Sequence, residues 1–212
     1  MKYDFYNMLP KPSEQVDVIG QNGSGKSAWM KHLLTPYIGI RQIVLLDSKH
    51  DDIWDGFGDI YYSPDKLMRI KWPEIKVAIY RPEGDLGNDY DAYDAIFEWV
   101  YERGNTVLAV DETGKVVKNA NTIKKGLDDV TTRGRKREIL RMFGMQRPSG
   151  MPRVIYSETS RFYVKYVLDS RDRDTIAEFA GPYVKEEIPD QFGMKYINIK
   201  TREKMYFPNP PE

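Results

Sequence analysis

Eight residues combine glycines, a lysine and a serine in a spacing typical of a phosphate-binding loop. The run reads Gly20-Gln21-Asn22-Gly23-Ser24-Gly25-Lys26-Ser27. Its glycines permit backbone angles that other residues resist, so several N–H groups can point at one anion. Lys26 would reach the β- and γ-phosphates of a nucleoside triphosphate, and the Ser27 hydroxyl would ligate Mg²⁺. The run therefore predicts a site for ATP and Mg²⁺.

The residues on either side of this run supply the strand and the helix that such a loop requires. Residues 16–19 are mostly apolar, and residues 28–34 have helical character. The helix would add the partial positive charge of its amino terminus to the anion site. The alternative, a glycine-rich turn that binds nothing, does not account for both flanks.

Two acidic residues follow a second apolar run, as in a Walker B motif. Residues 106–110 read Thr-Val-Leu-Ala-Val and precede Asp111 and Glu112. Ligands of open α/β sheets bind at the carboxyl ends of the strands, where these carboxylates would lie. Asp111 would hold Mg²⁺, and Glu112 would orient and polarise the attacking water. A solvated strand end is the alternative, but a water-activating carboxylate favours hydrolysis over phosphoryl transfer to a metabolite.

A third apolar run, residues 139–145, ends at Gln146. A neutral amide at this position can hydrogen-bond to the γ-phosphate or to the lytic water without changing the charge of the site. Taken alone, Gln146 would be interpreted as an ordinary polar strand terminus.

Composition excludes several other kinds of site. The chain has no cysteine, which excludes disulfides and thiolate metal sites, and its two histidines, His32 and His50, stand apart. No run approaches the ~20 apolar residues of a membrane-spanning helix, so we do not expect the chain to span a membrane. The 32 basic and 32 acidic residues balance, which argues against a simple basic nucleic-acid binder.

Charge is nevertheless unevenly distributed along the chain. Residues 115–141 carry nine basic and three acidic side chains. A solvated helix face is the ordinary interpretation, but such a segment next to an ATPase core also fits a surface that follows DNA phosphates. The candidate DNA contacts are Lys124, Lys125, Arg135 and Lys136.

Short apolar runs alternate with helical segments, a pattern that predicts an α/β fold with a mostly parallel sheet flanked by helices. The predicted strands are 16–19, 42–47, 76–80, 106–111, 139–145 and 162–168. The predicted helices are 26–34, 90–103, 121–133 and 172–180. Residues 185–207 predict a β-hairpin at the sheet edge, with an unpaired tail after it. At 212 residues, one domain is expected, with a core over about 14–181 and a carboxyl-terminal extension over about 185–212.

Together these motifs resemble the FtsK-HerA superfamily of DNA-pumping P-loop ATPases. Their order is the P-loop, Val110-Asp111-Glu112, Thr132-Arg133-Gly134-Arg135-Lys136-Arg137 and Met145-Gln146-Arg147-Pro148. The resemblance covers about residues 14–181, and Gln-Arg-Pro is its specific part. Glu138 departs from the aromatic or glycine step that is frequent in the family. The resemblance implies a RecA-like sheet in which the Gln146 strand lies between the P-loop strand and the Walker B strand.

The resemblance also implies a ring, usually a hexamer, in which an arginine from a neighbouring subunit completes each site. Arg81 and Arg133 are the first candidates for this arginine, followed by Arg135 and Arg137. Because the P-loop begins at residue 20, we expect a motor domain without the additional domains of cellular members. This feature resembles the genome-packaging ATPases of double-jelly-roll viruses with internal membranes.

The expected function is thus ATP-driven translocation of double-stranded DNA, independent of sequence, into a preformed viral capsid. A capsid vertex or a membrane-protein portal would be a further partner, and the protein would work in the host cytoplasm or the virion. Two alternatives remain open: a nucleotide-dependent switch or assembly ATPase that acts on protein, and a cellular or conjugative DNA pump. A metabolite kinase is disfavoured by Glu112.

Overall fold

The computed structural model describes residues 8–71, 77–83, 89–188, 190 and 192–208. These residues form one nine-stranded sheet in the order β3-β4-β2-β5-β6-β1-β7-β8-β9. The strands are β1 (Gln15–Ile19), β2 (Gln42–Leu46), β3 (Asp59–Tyr61), β4 (Val77–Tyr80), β5 (Thr106–Val110), β6 (Leu140–Met145), β7 (Arg161–Val164), β8 (Met194–Asn198) and β9 (Lys204–Phe207). All neighbours from β3 to β7 are parallel, and β8 and β9 are antiparallel additions. The predicted α/β fold with a carboxyl-terminal hairpin is confirmed.

Helices cover both faces of this sheet. They are α1 (Lys26–Leu34), α2 (Pro64–Met68), α3 (Tyr90–Arg103), α4 (Thr113–Val116), α5 (Lys125–Asp128), α6 (Arg153–Ser157) and α7 (Ser170–Ala180), with a π-helical turn over Asp129–Arg133 and a 3₁₀ turn over Gly134–Arg137. Alternate strand residues enter two apolar layers: Ile43 and Leu45 pack with α1, whereas Val44 and Leu46 pack with α3. Burial on both faces explains why the parallel strands are almost continuously apolar.

The sheet order places β6 between β1 and β5, as the family resemblance implies. Because these strands are parallel, the segments that follow them meet at one edge, which we call the carboxyl edge. The P-loop, Asp111 and Gln146 therefore come together although they are far apart in the sequence.

The prediction of a helix over 121–133 is wrong for residues 121–124, which are not helical, and the second half of the helix is a π turn and not an α-helix. Asn119 and Thr122 form an isolated antiparallel bridge, and the Asn119 side chain accepts the N–H of Asn121 at 3.0 Å. Such side-chain bonds offer the backbone an alternative to helix. The helix consequently begins at Lys125 and widens into the π turn at Asp129.

Other boundaries differ by a few residues, and several short elements escaped sequence interpretation. The strand predicted over 162–168 ends at Val164, the strand predicted to Asp47 ends at Leu46, and the helix predicted from 172 begins at Ser170. Strand β3 and helices α2, α4 and α6 contain five residues or fewer, too few to show a clear period. Residue 76 and the predicted tail after Pro208 lie outside the described residues.

Candidate functional site

The P-loop connects β1 to α1 and leaves the amino terminus of α1 open to a ligand. Gly23 and Gly25 adopt left-handed φ angles of 73° and 78°. Gly25 directly precedes α1, and no side chain caps that helix. The N–H groups of a helix's first turn lack partners within the helix, so this terminus is suited to an anion.

The loop is anchored on both sides of β1. The Gly20 N–H donates to the carbonyl of Met145 at 3.0 Å, and the Gln21 N–H donates to the carbonyl of Tyr166 at 3.1 Å. These bonds join the loop to the ends of β6 and β7. The position of the anion site therefore follows from the sheet and not from the loop alone.

Lys26 connects the P-loop to the Walker B strand. Its Nζ donates to the Asp111 carbonyl at 2.6 Å and lies 3.4 Å from Asp111 Oδ1. Both side chains are buried, with 6% and 2% of their surfaces exposed. Because a buried charge is costly unless it is paired, this contact holds the ammonium group at the floor of the site.

Gly144 makes this contact possible. It lies in β6, between β1, which leads into the P-loop, and β5, which Asp111 directly follows. A Cβ at this position would lie 2.3 Å from the Asp111 carbonyl oxygen and 2.7 Å from Met30 Sδ. Any side chain at position 144 would press on the Asp111 carbonyl, which accepts the Lys26 ammonium, and on Met30 of the helix that carries Lys26.

Glu112 faces the same edge but is already paired. Its Oε2 lies 2.8 Å from Nζ of Lys49, and its side chain is 8% exposed. Lys49 follows β2 and belongs to no motif, so sequence reasoning did not find it. Its proximity to Glu112 results from the adjacency of β2 and β5.

Gln146 lies where three clefts meet. The first cleft, of about 280 Å³, is lined by P-loop residues together with Lys49, Asp111 and Gln146. A second, of about 400 Å³, runs from Gln146 toward Asp172, and a third, of about 440 Å³, includes Gln146 and Glu112. The three clefts connect the phosphate site, the candidate base and the surface beyond β6.

A divalent metal would have few ligands from the protein in this site. Ser27 and Asp111 both line the first cleft, and among the described residues no group of three or more histidine or acidic side chains could hold a metal. Mg²⁺ typically binds through one or two carboxylates, with phosphate oxygens and water completing its shell. The residues present therefore fit a metal that arrives with a nucleotide.

Arg81 is buried in an internal network near this edge. Its Nε lies 2.6 Å from Asp47 Oδ2, its Nη1 lies 2.7 Å from Asp55 Oδ1, and its Nη2 donates to the Asp51 carbonyl at 3.0 Å. Only 8% of Arg81 is exposed. Its donors are thus engaged within its own chain, whereas an arginine that acts in a neighbour's site needs free donors at the surface.

Arg133 is more accessible. It extends from the π turn, and 65% of its side chain is exposed. Its Nη1 lies 2.9 Å from Oδ1 of Asp129, a buried carboxylate with 7% of its side chain exposed, in an (i, i+4) pair. Asp129 Oδ2 also lies 3.6 Å from Lys125 Nζ, so this carboxylate keeps a second cation if the Arg133 guanidinium turns to another partner. Arg137 instead donates to the carbonyls of Tyr101 and Glu102.

The four lysines and arginines predicted to contact DNA do not form one patch. Lys124 pairs with Asp91 near the start of α3, and Lys125 Nζ lies 2.9 Å from Glu98 Oε1. Both lysines are therefore partly neutralised by α3. Helix α3 runs from the carboxyl edge to the opposite edge of the sheet. The chain from Lys124 onward follows α3 in this direction and so leads away from the P-loop.

The other two predicted DNA contacts, Arg135 and Lys136, lie at the opposite edge of the sheet. Arg135 Nη2 donates to the Glu158 carbonyl at 3.3 Å, and Lys136 is exposed in the same 3₁₀ turn. This turn precedes β6, so it lies at the edge opposite the P-loop. Two of the four candidates are thus separated from the nucleotide site by the height of the sheet.

A lysine and an aromatic residue without a recognised motif lie against the P-loop. Lys165 follows β7, and its Nζ donates to the Phe192 carbonyl at 2.7 Å. Burial lowers the pKa of this ammonium to about 8. A Cβ at Gly25 would lie 3.7 Å from both Lys165 Nζ and Phe192 Cδ1, and Phe192 is 49% exposed. The segment before the carboxyl-terminal hairpin thus borders the phosphate site.

Comparison with known proteins gives one relative in sequence and several in structure. No family model matches the chain. The DNA packaging ATPase P9 of Enterobacteria phage PRD1 is 27% identical over 172 residues, which cover 81% of this chain and 72% of that protein.

Solved structures share the fold at lower identity. The genome packaging NTPase B204 from Sulfolobus turreted icosahedral virus 2, in complex with ATP-gammaS, superposes with a TM-score of 0.79 at 16% identity, over 95% of this chain and 100% of that chain. ATPases 2 and 3 of EssC from Geobacillus thermodenitrificans give a TM-score of 0.60 at 14% identity, over 88% of this chain and 38% of that chain.

In the described part of the chain, no helix has both the length and the apolar character needed to cross a membrane. The motif order, the position of β6 between β1 and β5, and the likenesses to known proteins agree with one another. The chain has the fold of P-loop ATPases of known structure, and in sequence it resembles a viral DNA packaging ATPase.

Proposed function

We propose that this chain is an ATPase that drives double-stranded DNA into a viral capsid. The observation that carries this proposal is its similarity, over 172 residues, to a DNA packaging ATPase. The geometry of the carboxyl edge supports the ATPase half, because the P-loop, Asp111, Glu112 and Gln146 surround connected clefts.

In the proposed site, the P-loop N–H groups and Lys26 bind the β- and γ-phosphates. Ser27 and Asp111 hold Mg²⁺, which would neutralise charge on the phosphate oxygens. Glu112 orients the attacking water, and the Gln146 amide lies beside the γ-phosphate, where it can report the loss of that group. Transfer of Lys26 Nζ from the Asp111 carbonyl to phosphate oxygens would couple binding to the end of β5.

We propose Arg133 as the arginine that completes a neighbouring subunit's site in a ring, the hexamer that the resemblance implies. Its exposure supports this role, whereas the buried network around Arg81 supports a structural role for that residue. Placing a trans arginine in this way is worth roughly 10³–10⁵ in rate where it has been measured.

For DNA contact, we propose helix α4 together with the segment that joins it to α5. Lys115 and Lys118 are exposed there, and neither forms an ion pair with a described residue. The segment follows Glu112 directly and is braced by the Asn119–Thr122 bridge. It lies at the carboxyl edge, so a change at the catalytic carboxylate can reach it through one short helix.

We propose that residues 1–212 constitute one domain, that the protein acts in the host cytoplasm or the virion, and that a capsid vertex or portal protein receives it. The relation to a packaging ATPase supports these proposals.

The test is ATP hydrolysis measured with and without duplex DNA at low salt. We expect duplex DNA to stimulate turnover, and we expect Glu112→Gln to bind ATP while reducing turnover at least about a hundredfold. Glu178→Gln, a change on an exposed ion pair, is the matched control and should behave as wild type.

Salt dependence separates DNA from a protein partner. Stimulation through phosphate contacts should decline steeply as salt increases, because binding releases counterions. Stimulation that is absent at every salt concentration would refute DNA translocation, and normal turnover of Glu112→Gln would remove Glu112 from its role. Transfer of phosphate to a small acceptor would identify a kinase instead.

A further inference from the structure

Glu112, the proposed catalytic carboxylate, already forms an ion pair with Lys49 of its own chain. The ammonium group lies 2.8 Å from Glu112 Oε2 and occupies that oxygen. An ammonium group at this distance draws the negative charge of the carboxylate toward itself, which weakens the other oxygen, Oε1, as an acceptor for an attacking water. In the arrangement seen here, Glu112 is therefore paired with a lysine and is a weaker base than a free carboxylate would be.

The backbone that carries Lys49 is fixed on both sides of it. The Asp47 carboxylate, fully buried, accepts the Asp51 N–H at 3.1 Å and also binds Arg81. His50 has a left-handed φ of 55°, and its Nε2 donates to the Pro82 carbonyl at 2.7 Å. The turn is thus rigid.

The side chain of Lys49, in contrast, is 32% exposed and has Glu112 as its ion-pair partner. A long, flexible stem on a rigid turn allows the ammonium group to move while its Cα stays in place.

Lys49 also faces the phosphate site. It lines the first cleft together with Lys26 and Ser27, and it lines the third cleft together with Glu112. A triphosphate in the P-loop would bring the negative charge of its γ-phosphate into the first cleft. The ammonium group would then lie between two anions that compete for it.

We propose that Lys49 exchanges partners when a triphosphate binds, leaving Glu112 for the γ-phosphate and thereby releasing the carboxylate to the attacking water. The inference rests on the proposed ATP site. It makes Lys49 a sensor of the third phosphate, since a diphosphate would leave the ion pair with Glu112 intact. Glu112 would then be competent only when there is a bond to hydrolyse.

The test is a double-mutant cycle in nucleotide binding, which needs no turnover. Wild type, Lys49→Met, Glu112→Gln and the double variant are titrated with Mg²⁺-AMPPCP and with Mg²⁺-ADP. We expect Lys49→Met to weaken AMPPCP about three- to tenfold and ADP less than about twofold. We expect Glu112→Gln to tighten AMPPCP by a similar factor, because no ion pair then has to break.

The coupling between the two changes decides the question. If the ion pair breaks on binding, the tightening by Glu112→Gln is several-fold smaller in the Lys49→Met background. If Lys49 stays on Glu112, the two effects on AMPPCP add, because each then only changes the charge near the phosphates. Additive effects, or equal effects on AMPPCP and ADP, overturn the proposal.

Two controls separate this inference from its foundation. Lys115→Met removes a charge from the third cleft without touching Glu112, and it should show no coupling to Glu112→Gln. Lys49→Arg keeps the charge and should retain the preference for AMPPCP. Failure of wild type to bind either nucleotide would refute the proposed ATP site itself, an outcome distinct from an uncoupled cycle.

Discussion

The neutral side chain of Gln146 suits its position between the phosphate site and Glu112. The side chain is a neutral amide at the end of β6, and it lies where the clefts of the phosphate site and of Glu112 meet. An amide can bind an anion there without adding charge, whereas a carboxylate of equal size would repel it.

Gln146→Glu should therefore lower both ATP affinity and turnover, with kcat reduced about 10²–10³-fold. Gln146→Ala should reduce kcat by less than that and leave affinity nearly unchanged. Steady-state kinetics together with nucleotide titration would measure both effects. Wild-type kcat in Gln146→Glu would show that the amide is only a strand terminus.

Lys165 gives a second prediction at this scale, through pH. Burial lowers its folded-state pKa to about 8 from 10.5. Between these values the unfolded chain binds more protons than the folded chain, so this group makes stability rise with pH from about 8 to 10.5.

Lys165→Met should remove that rise. Urea unfolding at pH 8 and at pH 9.5 gives the free energy of unfolding of wild type and variant. The wild-type value should increase relative to that of Lys165→Met between the two pH values. A difference that stays constant across the two pH values would show that the Lys165 ammonium is not perturbed by its surroundings.

Motif chemistry alone predicts the P-loop, Asp111, Glu112 and Gln146, because each ends a strand at the carboxyl edge. It cannot predict Lys49, Lys165 or Phe192, which follow or precede ordinary strands. Their roles arise only when β2 is placed beside β5 and β7 beside β1, and no local pattern records those adjacencies.

At the scale of elements, β1 and β6 share a buried ion pair that no motif indicates. Arg141 Nη2 lies 3.0 Å from Asp17 Oδ1, and both side chains are 0% exposed. Thr159 Oγ1 donates to Asp17 Oδ2 at 2.7 Å. Burial raises the Asp17 pKa to about 6, against the attraction of Arg141.

Asp17→Asn should destabilise the fold by about 3–5 kcal/mol, because it leaves the Arg141 charge buried without its counter-ion. Arg153→Ala, which breaks an exposed ion pair with Glu178, should cost about 1 kcal/mol or less. Denaturant unfolding of both variants makes the comparison. Equal effects in the two variants would mean that Asp17 does not compensate Arg141.

Long apolar elements were predictable, and short or irregular ones were not. Strand β5 and helix α3 follow their periods closely, and β3 is too short to show one. The π turn over Asp129–Arg133 reflects how α5 packs: a Cβ at Gly126 would lie 2.4 Å from the Asp94 carbonyl of α3. This close approach is a tertiary contact, and the spacing of apolar residues along the sequence contains no information about it.

For the whole molecule, the decisive question is whether sites are completed across subunits. Arg133 and Glu112 belong to different parts of the proposed mechanism: one acts in a neighbour's site, the other in its own. Each single variant, Arg133→Ala or Glu112→Gln, should reduce turnover of its own assembly by at least about 10²-fold.

Co-expressed mixtures of these two variants should recover turnover, because an intact Glu112 site can then receive Arg133 from the adjacent Glu112→Gln subunit. ATPase rates across mixing ratios would measure the recovery. Mixtures no faster than the weighted mean of the two pure variants would argue against Arg133 as the trans residue.

Balanced charge at this scale conceals local organisation. The 32 basic and 32 acidic residues are arranged so that α3 acids neutralise Lys124 and Lys125, while Lys115 and Lys118 stay exposed at the carboxyl edge. Counting charges along residues 115–141 reveals the basic segment, but only the fold shows which of its members form ion pairs with other described residues.

Gly144 in β6 limits how this sequence can change during evolution, because no side chain larger than a hydrogen atom fits at this position. A methyl group there would collide with the carbonyl that holds Lys26 and with the helix that begins at the P-loop. No compensating change in one neighbour would relieve both collisions. We therefore expect position 144 to stay glycine in every descendant of this sequence that keeps Lys26 in contact with the Asp111 carbonyl.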